Sequence, residues 1–397
     1  MKPSRYNHII RRRGLPQMLY NCVRRSFLSL DQAQAAIYGG LQMPITRNLM
    51  NLKDPTVERT LQLLASGSFM VEEQADEILE LELSSNLFRF SSGRLDLWIA
   101  LTTRCDQNCP GCPYRENPRD LSPQALEAIK ALVLQRPGLK DLSVTFWGGE
   151  PALAWPLALE LKEWLDGTCR KLNARAVYSL ITNGGPDHLP IMIKDRRHPP
   201  DRIYASLKAG EIVNDPSLQA VYLASLAGLA ENRSKLPASA AVKIIPCQPS
   251  ETLCRNLAGF CQSAPRFSDE ETDVLKTLVS DGFEILNLPR PKPVCCQAAD
   301  PQSFIVDAEG NIYKCWNDLG RPENRINKIM DDPFSPQLFR YLAWNPYRLQ
   351  HCRICGLLPW CLGGCLAKPP DEDCGLWHYS RNDILKLLAT EYEKRTK

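Results

Sequence analysis

Apolar residues in this chain recur in short unbroken runs, and between many of those runs the spacing becomes helical. Runs at 96–103 (DLWIALTT), 142–146 (LSVTF), 176–181 (AVYSLI), 203–207 (IYASL), 240–245 (AAVKII) and 283–288 (FEILNL) predict strands. Their continuous hydrophobicity suits strands buried on both faces. Helices are predicted at 122–136, with Ser122 at the N-cap and Pro123 in the first turn, and at 155–173 and 217–232. A further helix at 268–281 opens on a capping box of Ser268 and Glu271 and stops at Gly282. Strands alternating with helices predict a parallel α/β sheet, and six strands fall short of a closed eight-stranded barrel, so an open or partial barrel is expected. In such sheets ligands bind beyond the carboxyl ends of the strands. Cys105, the turn Gly148-Gly149-Glu150-Pro151, Asn183 and Ser206 all fall at those ends.

Composition narrows the class. At 397 residues the chain is long enough for two or three domains, and 44% hydrophobic against 23% charged residues excludes wholesale disorder. A net charge of +3 gives no field that argues for nucleic acid or an anionic membrane as partner; Arg11, Arg12 and Arg13 read as a solvated run. Neither a secretory h-region at the N-terminus nor any window of about 18 consecutive apolar residues is present, so a cytoplasmic location and no membrane partner are expected.

Sixteen cysteines then need a reason, because disulfides rarely persist in a reducing compartment. Five are scattered singly: Cys22, Cys169, Cys247, Cys254 and Cys261, each read as a small buried hydrophobe. The other eleven cluster: Cys105, Cys109 and Cys112 in RCDQNCPGCPY, and Cys295, Cys296, Cys315, Cys352, Cys355, Cys361, Cys365 and Cys374 further on. Clusters of this kind indicate metal or iron–sulfur ligation, and their separation implies at least two centres. Taken alone, C-x3-C-x2-C is also compatible with part of a zinc site.

The order of these elements resembles the radical S-adenosylmethionine (SAM) superfamily: C-x3-C-x2-C directly after the first core strand, and GGEP after the second. The resemblance implies that Cys105, Cys109 and Cys112 hold a [4Fe–4S] cluster with one iron open to S-adenosylmethionine, whose reductive cleavage yields a 5′-deoxyadenosyl radical. It also implies that Gly148, Gly149, Glu150 and Pro151 hold the methionine end, with Glu150 accepting from the ammonium. Asn183 belongs to a TNG segment like that seen after the third strand, and Ser206 is expected at the ribose hydroxyls. Tyr114, displaced one position by Pro113, stands for the adenine-side aromatic, and Lys208-Ala209 replaces the acidic residue common after the fourth strand.

The second cysteine group is similar to the SPASM extension. Gly310-x4-Cys315 and C-x2-C-x5-C-x3-C over Cys352, Cys355, Cys361 and Cys365 match its pattern residue for residue. By that resemblance Cys352, Cys355, Cys361 and Cys374 close an outer auxiliary [4Fe–4S] cluster. Cys315, Cys365 and Cys295 or Cys296 belong to an inner one whose fourth ligand stays open. A structural-zinc reading of the region remains the alternative. The expected division is residues 1–92 as a small α+β N-terminal domain, 93–289 as a partial (β/α)6 barrel and 290–397 as the cysteine-rich domain, with the proline-rich PRPKPV stretch as linker.

The N-terminal tract loosely resembles the one that captures a precursor peptide in peptide-modifying members, commonly by adding a strand to a sheet edge. The expected function is therefore oxidative crosslinking or modification of a ribosomally made precursor peptide, with a flavodoxin or ferredoxin as electron donor. Sulfatase-type formylglycine formation is disfavoured because Trp316 follows Cys315 where those enzymes place Asp. Small-molecule or haem-precursor modification and a non-catalytic iron–sulfur or zinc scaffold are the other readings. No catalytic residue is indicated; His188, His198, His351 and His378 qualify by residue type alone.

Overall fold

The computed structural model describes residues 1–107, 117–184, 200–206, 219–224, 229, 233–237, 240–244, 269–286, 288–328, 336–364, 366 and 381–396. The chain opens with β1 (Lys2–Pro3), β2 (Asn7–Ile10), β3 (Gln17–Asn21) and β4 (Ser26–Leu30), then α1 (Gln32–Leu41), α2 (Pro44–Leu49), α3 (Pro55–Ser66), β5 (Met70–Val71) and α4 (Glu77–Arg89). Strands β2, β3 and β4 form an antiparallel sheet, and β1 pairs with β5. Local chemistry sets the helix starts: Asp31 makes a reciprocal capping box with Gln34, and Asp54 and Asp76 each accept two backbone N–H groups. Leu19, Leu30, Tyr38, Leu41, Leu64 and Phe69 pack as the local core. Strands followed by helices were expected here, and that is what forms.

A ten-stranded sheet follows. Its strands are β6 (Arg94–Thr102), β7 (Asp141–Gly148), β8 (Arg175–Thr182), β9 (Arg202–Ser206), β10 (Gln219–Ala224), β11 (Ala241–Ile244), β12 (Glu284–Ile285), β13 (Ser303–Val306), β14 (Asn311–Tyr313) and β15 (Asn327–Lys328). The order is β12-β11-β10-β9-β8-β7-β6-β13-β14-β15. Neighbours from β12 to β13 run parallel, while β14 and β15 are antiparallel additions. Helices α5 (Pro123–Leu134), α6 (Trp155–Leu172) and α7 (Asp269–Ser280) lie between strands. Helix α5 starts where Ser122 Oγ accepts from Ala125 N and buries Ala125, Leu126, Ile129 and Val133 at helical spacing, each large aliphatic contributing about 1.5–3 kcal/mol. Helix α6 ends on a left-handed Asn173, and Gly282 (φ +89°) follows α7; Ser268 of the expected capping box lies outside the described residues.

One prediction fails. The helix expected over 217–232 is, across Gln219–Ala224, strand β10, with Val221 paired to Tyr204 on one side and Ala241 on the other. Val221, Tyr222 and Leu223 are all buried, so both faces are covered and the apolar run has no alternation to mark it as a strand. Among the described residues the parallel strands β6 to β12 therefore number seven, one more than expected.

After β15 come α8 (Pro336–Leu342), α9 (Gln350–Arg353), α10 (Leu358–Cys361) and α11 (Arg381–Thr396). One core runs from Tyr6, Tyr20 and Cys22 through Val242 and Leu278 to Cys295, Trp360 and Leu385. Two adjacent residues of the proline-rich linker are tethered: Ser85 Oγ donates to Pro293 O (2.6 Å) and Lys292 N to Pro359 O (3.3 Å). Among the described residues no helix is long and apolar enough to cross a membrane.

Candidate functional site

The site assembles at the carboxyl ends of β6, β7, β8 and β9. The chain leaving β6 toward Cys105 is stapled across its base. Leu121 N donates to Leu101 O (2.8 Å), Thr103 N to Arg119 O (2.7 Å), and Thr102 bridges Asp120. Asp120 accepts from Thr102 Oγ1 (2.7 Å) and forms a two-pronged pair with Arg104 (2.8 and 2.9 Å). Burial works against ionisation of Asp120, but the Arg104 and Thr102 hydrogen bonds outweigh it and hold the carboxyl below its usual range. The loop that carries the three-cysteine motif is thus closed at its root. Cys109, Cys112 and Tyr114 lie outside the described residues.

The GGEP turn lies directly against that root. Gly149 N donates to Thr102 O and Glu150 N to Arg104 O, both at 2.8 Å. The approach leaves no room for side chains. A Cβ on Gly148 (φ +142°) would sit 2.1 Å from Thr102 O, and one on Gly149 would sit 2.1 Å from Arg104 O. Glycine is required at both positions by contact with the cysteine-bearing chain.

Glu150 is fully buried. Its carboxylate accepts from Ala152 N (3.1 Å), Asn183 N (2.8 Å) and the Thr182 hydroxyl (3.0 Å to each oxygen). It therefore ties the end of β7 to the end of β8, a role the sequence reading did not give it. Asn183 Nδ2 in turn donates to Asp106 Oδ1 (2.7 Å) and lies 3.9 Å from Cys105 Sγ. Burial pushes the half-buried Cys105 thiol up. Ser206 ends β9, in register with Leu223 of β10, and its neighbour Ala205 is in register with Thr182. The predicted residues Cys105, Gly148, Gly149, Glu150, Pro151, Asn183 and Ser206 thus lie together along the carboxyl ends of β6 to β9. Thr102, Arg104 and Asp120 complete the site and were missed, because their contacts depend on loop closure and leave no mark in spacing; Thr182, read only as part of the TNG segment, adds its hydroxyl on Glu150.

Of the second cysteine group, Cys295 and Cys296 precede β13, Cys315 follows β14, and Cys352, Cys355 and Cys361 lie on or beside α9 and α10. Gly310 (φ +82°) turns the chain from β13 to β14, and a Cβ there would lie 3.0 Å from Ala125 Cβ. Lys314 is fully buried, its ammonium donating to Asp300 O and Ser303 O and lying 4.7 Å from the Phe304 ring centroid; burial lowers it to about 7. Next comes Cys315, buried, then Trp316, which packs edge-on against Trp147 (4.9 Å) and Trp98 (5.2 Å). Trp147 immediately precedes Gly148, so these indoles connect the surroundings of Cys315 to the GGEP turn.

Cys295 and Cys296 lie with their sulfurs 3.9 Å apart. The hydrogen bond between them, reinforced by burial, raises Cys295, while the same bond lowers Cys296 to about 6. Cys352 is buried and Cys355 and Cys361 are half-buried; Leu357 N donates to Cys355 Sγ (3.4 Å). Cys365 and Cys374 lie outside the described residues. Among the described residues no three His, Cys, Asp or Glu side chains gather closely enough to hold a metal ion.

His8, absent from the sequence reading, joins the two ends of the chain. It is 2% exposed, with Nε2 3.1 Å from Gly356 O and Nδ1 2.8 Å from the Arg381 guanidinium. Burial and then Arg381 lower its pKa to about 4.

No protein-family model matches the chain, and no curated protein matches it. Several solved structures are similar. Native anSMEcpe with bound AdoMet and a Cp18Cys peptide is 15% identical at a TM-score of 0.47, over 75% of this chain and 99% of that one. SuiB of Streptococcus suis bound to its precursor peptide SuiA is 15% identical at 0.42, over 93% and 98%. BtrN in complex with AdoMet and 2-DOIA is 13% identical at 0.34, over 68% and 91%. Likeness this distant leaves the functional reading to the chain's own residues.

Proposed function

We propose that this chain is a radical SAM enzyme with a C-terminal SPASM extension that oxidatively modifies or crosslinks a ribosomally made precursor peptide. The observation that carries the reading is the joining of the Cys105 loop root to the GGEP turn through Thr102, Arg104, Gly149 and Glu150. The donor chemistry fits an iron–sulfur cluster. Cys105 is a half-buried thiol at a strand end, in a three-cysteine motif that leaves one iron coordination open. In that reading Cys105, Cys109 and Cys112 hold the cluster, which supplies reductive cleavage of S-adenosylmethionine to a 5′-deoxyadenosyl radical.

The protein's part is to position. Gly148, Gly149, Glu150 and Pro151 are assigned to the methionine end, Asn183 flanks the Cys105 sulfur, and Ser206 and Tyr114 are assigned to the ribose and adenine. Because Glu150 already accepts from Thr182, Asn183 and Ala152, its main work is to fix β7 to β8, and any ligand ammonium shares an occupied carboxylate. Cys295, Cys296, Cys315, Cys352, Cys355, Cys361, Cys365 and Cys374 are assigned to two auxiliary [4Fe–4S] clusters, which suit a reaction that must remove an electron after hydrogen abstraction. Residues 1–92 are assigned as the peptide-recognition region, 93–289 as an open α/β barrel carrying the seven parallel strands β6 to β12, and 290–397 as the SPASM domain. The enzyme is read as a cytoplasmic oxidoreductase reduced by a flavodoxin or ferredoxin.

The test is anaerobic reconstitution with iron and sulfide, followed by measurement of 5′-deoxyadenosine after adding S-adenosylmethionine and reductant. The intact chain is expected to form it with about twelve irons per chain for three clusters, and the Cys105→Ala/Cys109→Ala/Cys112→Ala variant to form none. Zinc in place of iron, with no deoxyadenosine, would sink the proposal.

A further inference from the structure

The loop bearing Cys352, Cys355 and Cys361 is held from outside by the other end of the chain. The Gly356 carbonyl, directly after Cys355, accepts from His8 Nε2 (3.1 Å) and from Cys22 Sγ (3.2 Å). Between Cys352 and Cys355, the Arg353 carbonyl accepts from the Arg5 guanidinium. Before Cys361, the Trp360 ring lies 6.1 Å from His8 and 5.8 Å from Tyr20. Gly356 itself has little room, since a Cβ there would meet His8 Cε1 at 3.1 Å.

The partners of His8 assign its tautomer. A carbonyl only accepts, so Nε2 carries the proton toward Gly356, and Nδ1 offers its lone pair to the Arg381 N–H. One neutral imidazole therefore links β2, the cysteine loop and α11. Arg5, His8, Tyr20 and Cys22 belong to the first 22 residues, more than 300 positions from the loop they contact.

We infer that the N-terminal sheet forms one wall of the auxiliary iron–sulfur site, with His8 as a positioning residue that fixes the Gly356–Leu357 peptide, whose Leu357 N–H donates to Cys355 Sγ (3.4 Å), and thereby aims the Cys355 thiolate. The inference rests on the reading of Cys352, Cys355 and Cys361 as cluster ligands. His8 touches no sulfur; it acts through a backbone carbonyl, as groups around metal sites do when they orient ligands and tune potential. Residues 1–22 are accordingly part of the redox apparatus in addition to any contact with a peptide.

The experiment is done in the full chain carrying Cys105→Ala/Cys109→Ala/Cys112→Ala, where iron reports auxiliary sites alone. After anaerobic reconstitution, iron and sulfide content, the reduced-state electron paramagnetic resonance spectrum and the rate of iron loss to a chelator are measured. His8→Ala is expected to lose iron roughly 10- to 100-fold faster with an altered spectrum. His8→Gln, which keeps a donor toward Gly356, is expected to restore both. Equal retention and identical spectra in a folded His8→Ala protein would overturn the inference. If His8→Ala does not fold, Cys22→Ala and Arg5→Met carry the test, each removing one donor to the loop; unchanged spectra in both would overturn it equally. A parent that binds no iron at all would instead remove the cluster reading, and the inference with it.

Discussion

At the residue scale the site rests on close approaches that spacing only hints at. Gly148 and Gly149 are legible as a turn, but the reason for them is the carbonyls of Thr102 and Arg104 in the space a Cβ would take. Gly149→Ala should cost more than the about 1–3 kcal/mol of ordinary overpacking, because the obstacle is backbone and cannot rotate away; urea unfolding of the apo protein measures it. Glu150→Gln is isosteric yet places an amide donor among three donors, so a loss of about 1–3 kcal/mol is expected in the same assay. His8 sets a pH dependence. Its folded value near 4 lies below the ordinary 6.5, so folding favours the neutral ring; the stabilisation is complete above pH 6.5 and is lost as pH falls from there through about 4. The urea midpoint of the wild-type apo protein should therefore drop more steeply over that interval than that of His8→Gln. His8 was invisible in the sequence because a lone histidine in an alternating strand carries no pattern, and its partners lie at the far end of the chain.

At the element scale most of the sheet was readable. The strands β6, β7, β8, β9 and β11 fall within a few residues of their predicted places, because buried parallel strands are marked by dense Val, Ile, Leu and aromatic runs. The same density hid β10, whose apolar character on every face satisfies a helix pattern equally well. The cysteine spacings were plain, yet the staple at the loop root was not, since Arg104 and Asp120 meet only after the chain has turned back. The β13–β14 turn offers a test at this level. Gly310 adopts φ +82° with Ala125 of α5 against it, so Gly310→Ala should lower stability by about 1 kcal/mol or more through backbone strain alone. Thermal unfolding would report it. If that turn also fixes the strand leading to Cys315, the same variant should bind less auxiliary iron.

At the scale of the whole molecule the first ninety residues are wired into the rest. The Arg89 guanidinium donates to Ala299 O (3.1 Å), Leu342 O (2.8 Å) and Trp344 O (3.3 Å), and Arg12 pairs with Glu393. Deleting 1–92 would therefore expose core and loosen the cysteine loop together, and lost turnover in such a truncation would not identify a peptide-binding role. Arg89→Ala separates the effects: three carbonyls lose a charged donor, so the urea midpoint should fall, with an expected loss of a few kcal/mol, while the N-terminal sheet keeps its edges.

The placement of β13 beside β6 has a further consequence for how the chain behaves when broken. Four residue pairs from Ser303/Asp96 to Val306/Ile99 join the cysteine-rich region to the first core strand, across the proline-rich connection. A protease nick within 290–294 would sever a covalent link but leave a shared strand interface. The two fragments should run as separate bands on a denaturing gel and still elute together at the size of the intact protein. Mixed after separation, they should complement one another and recover a single folded species.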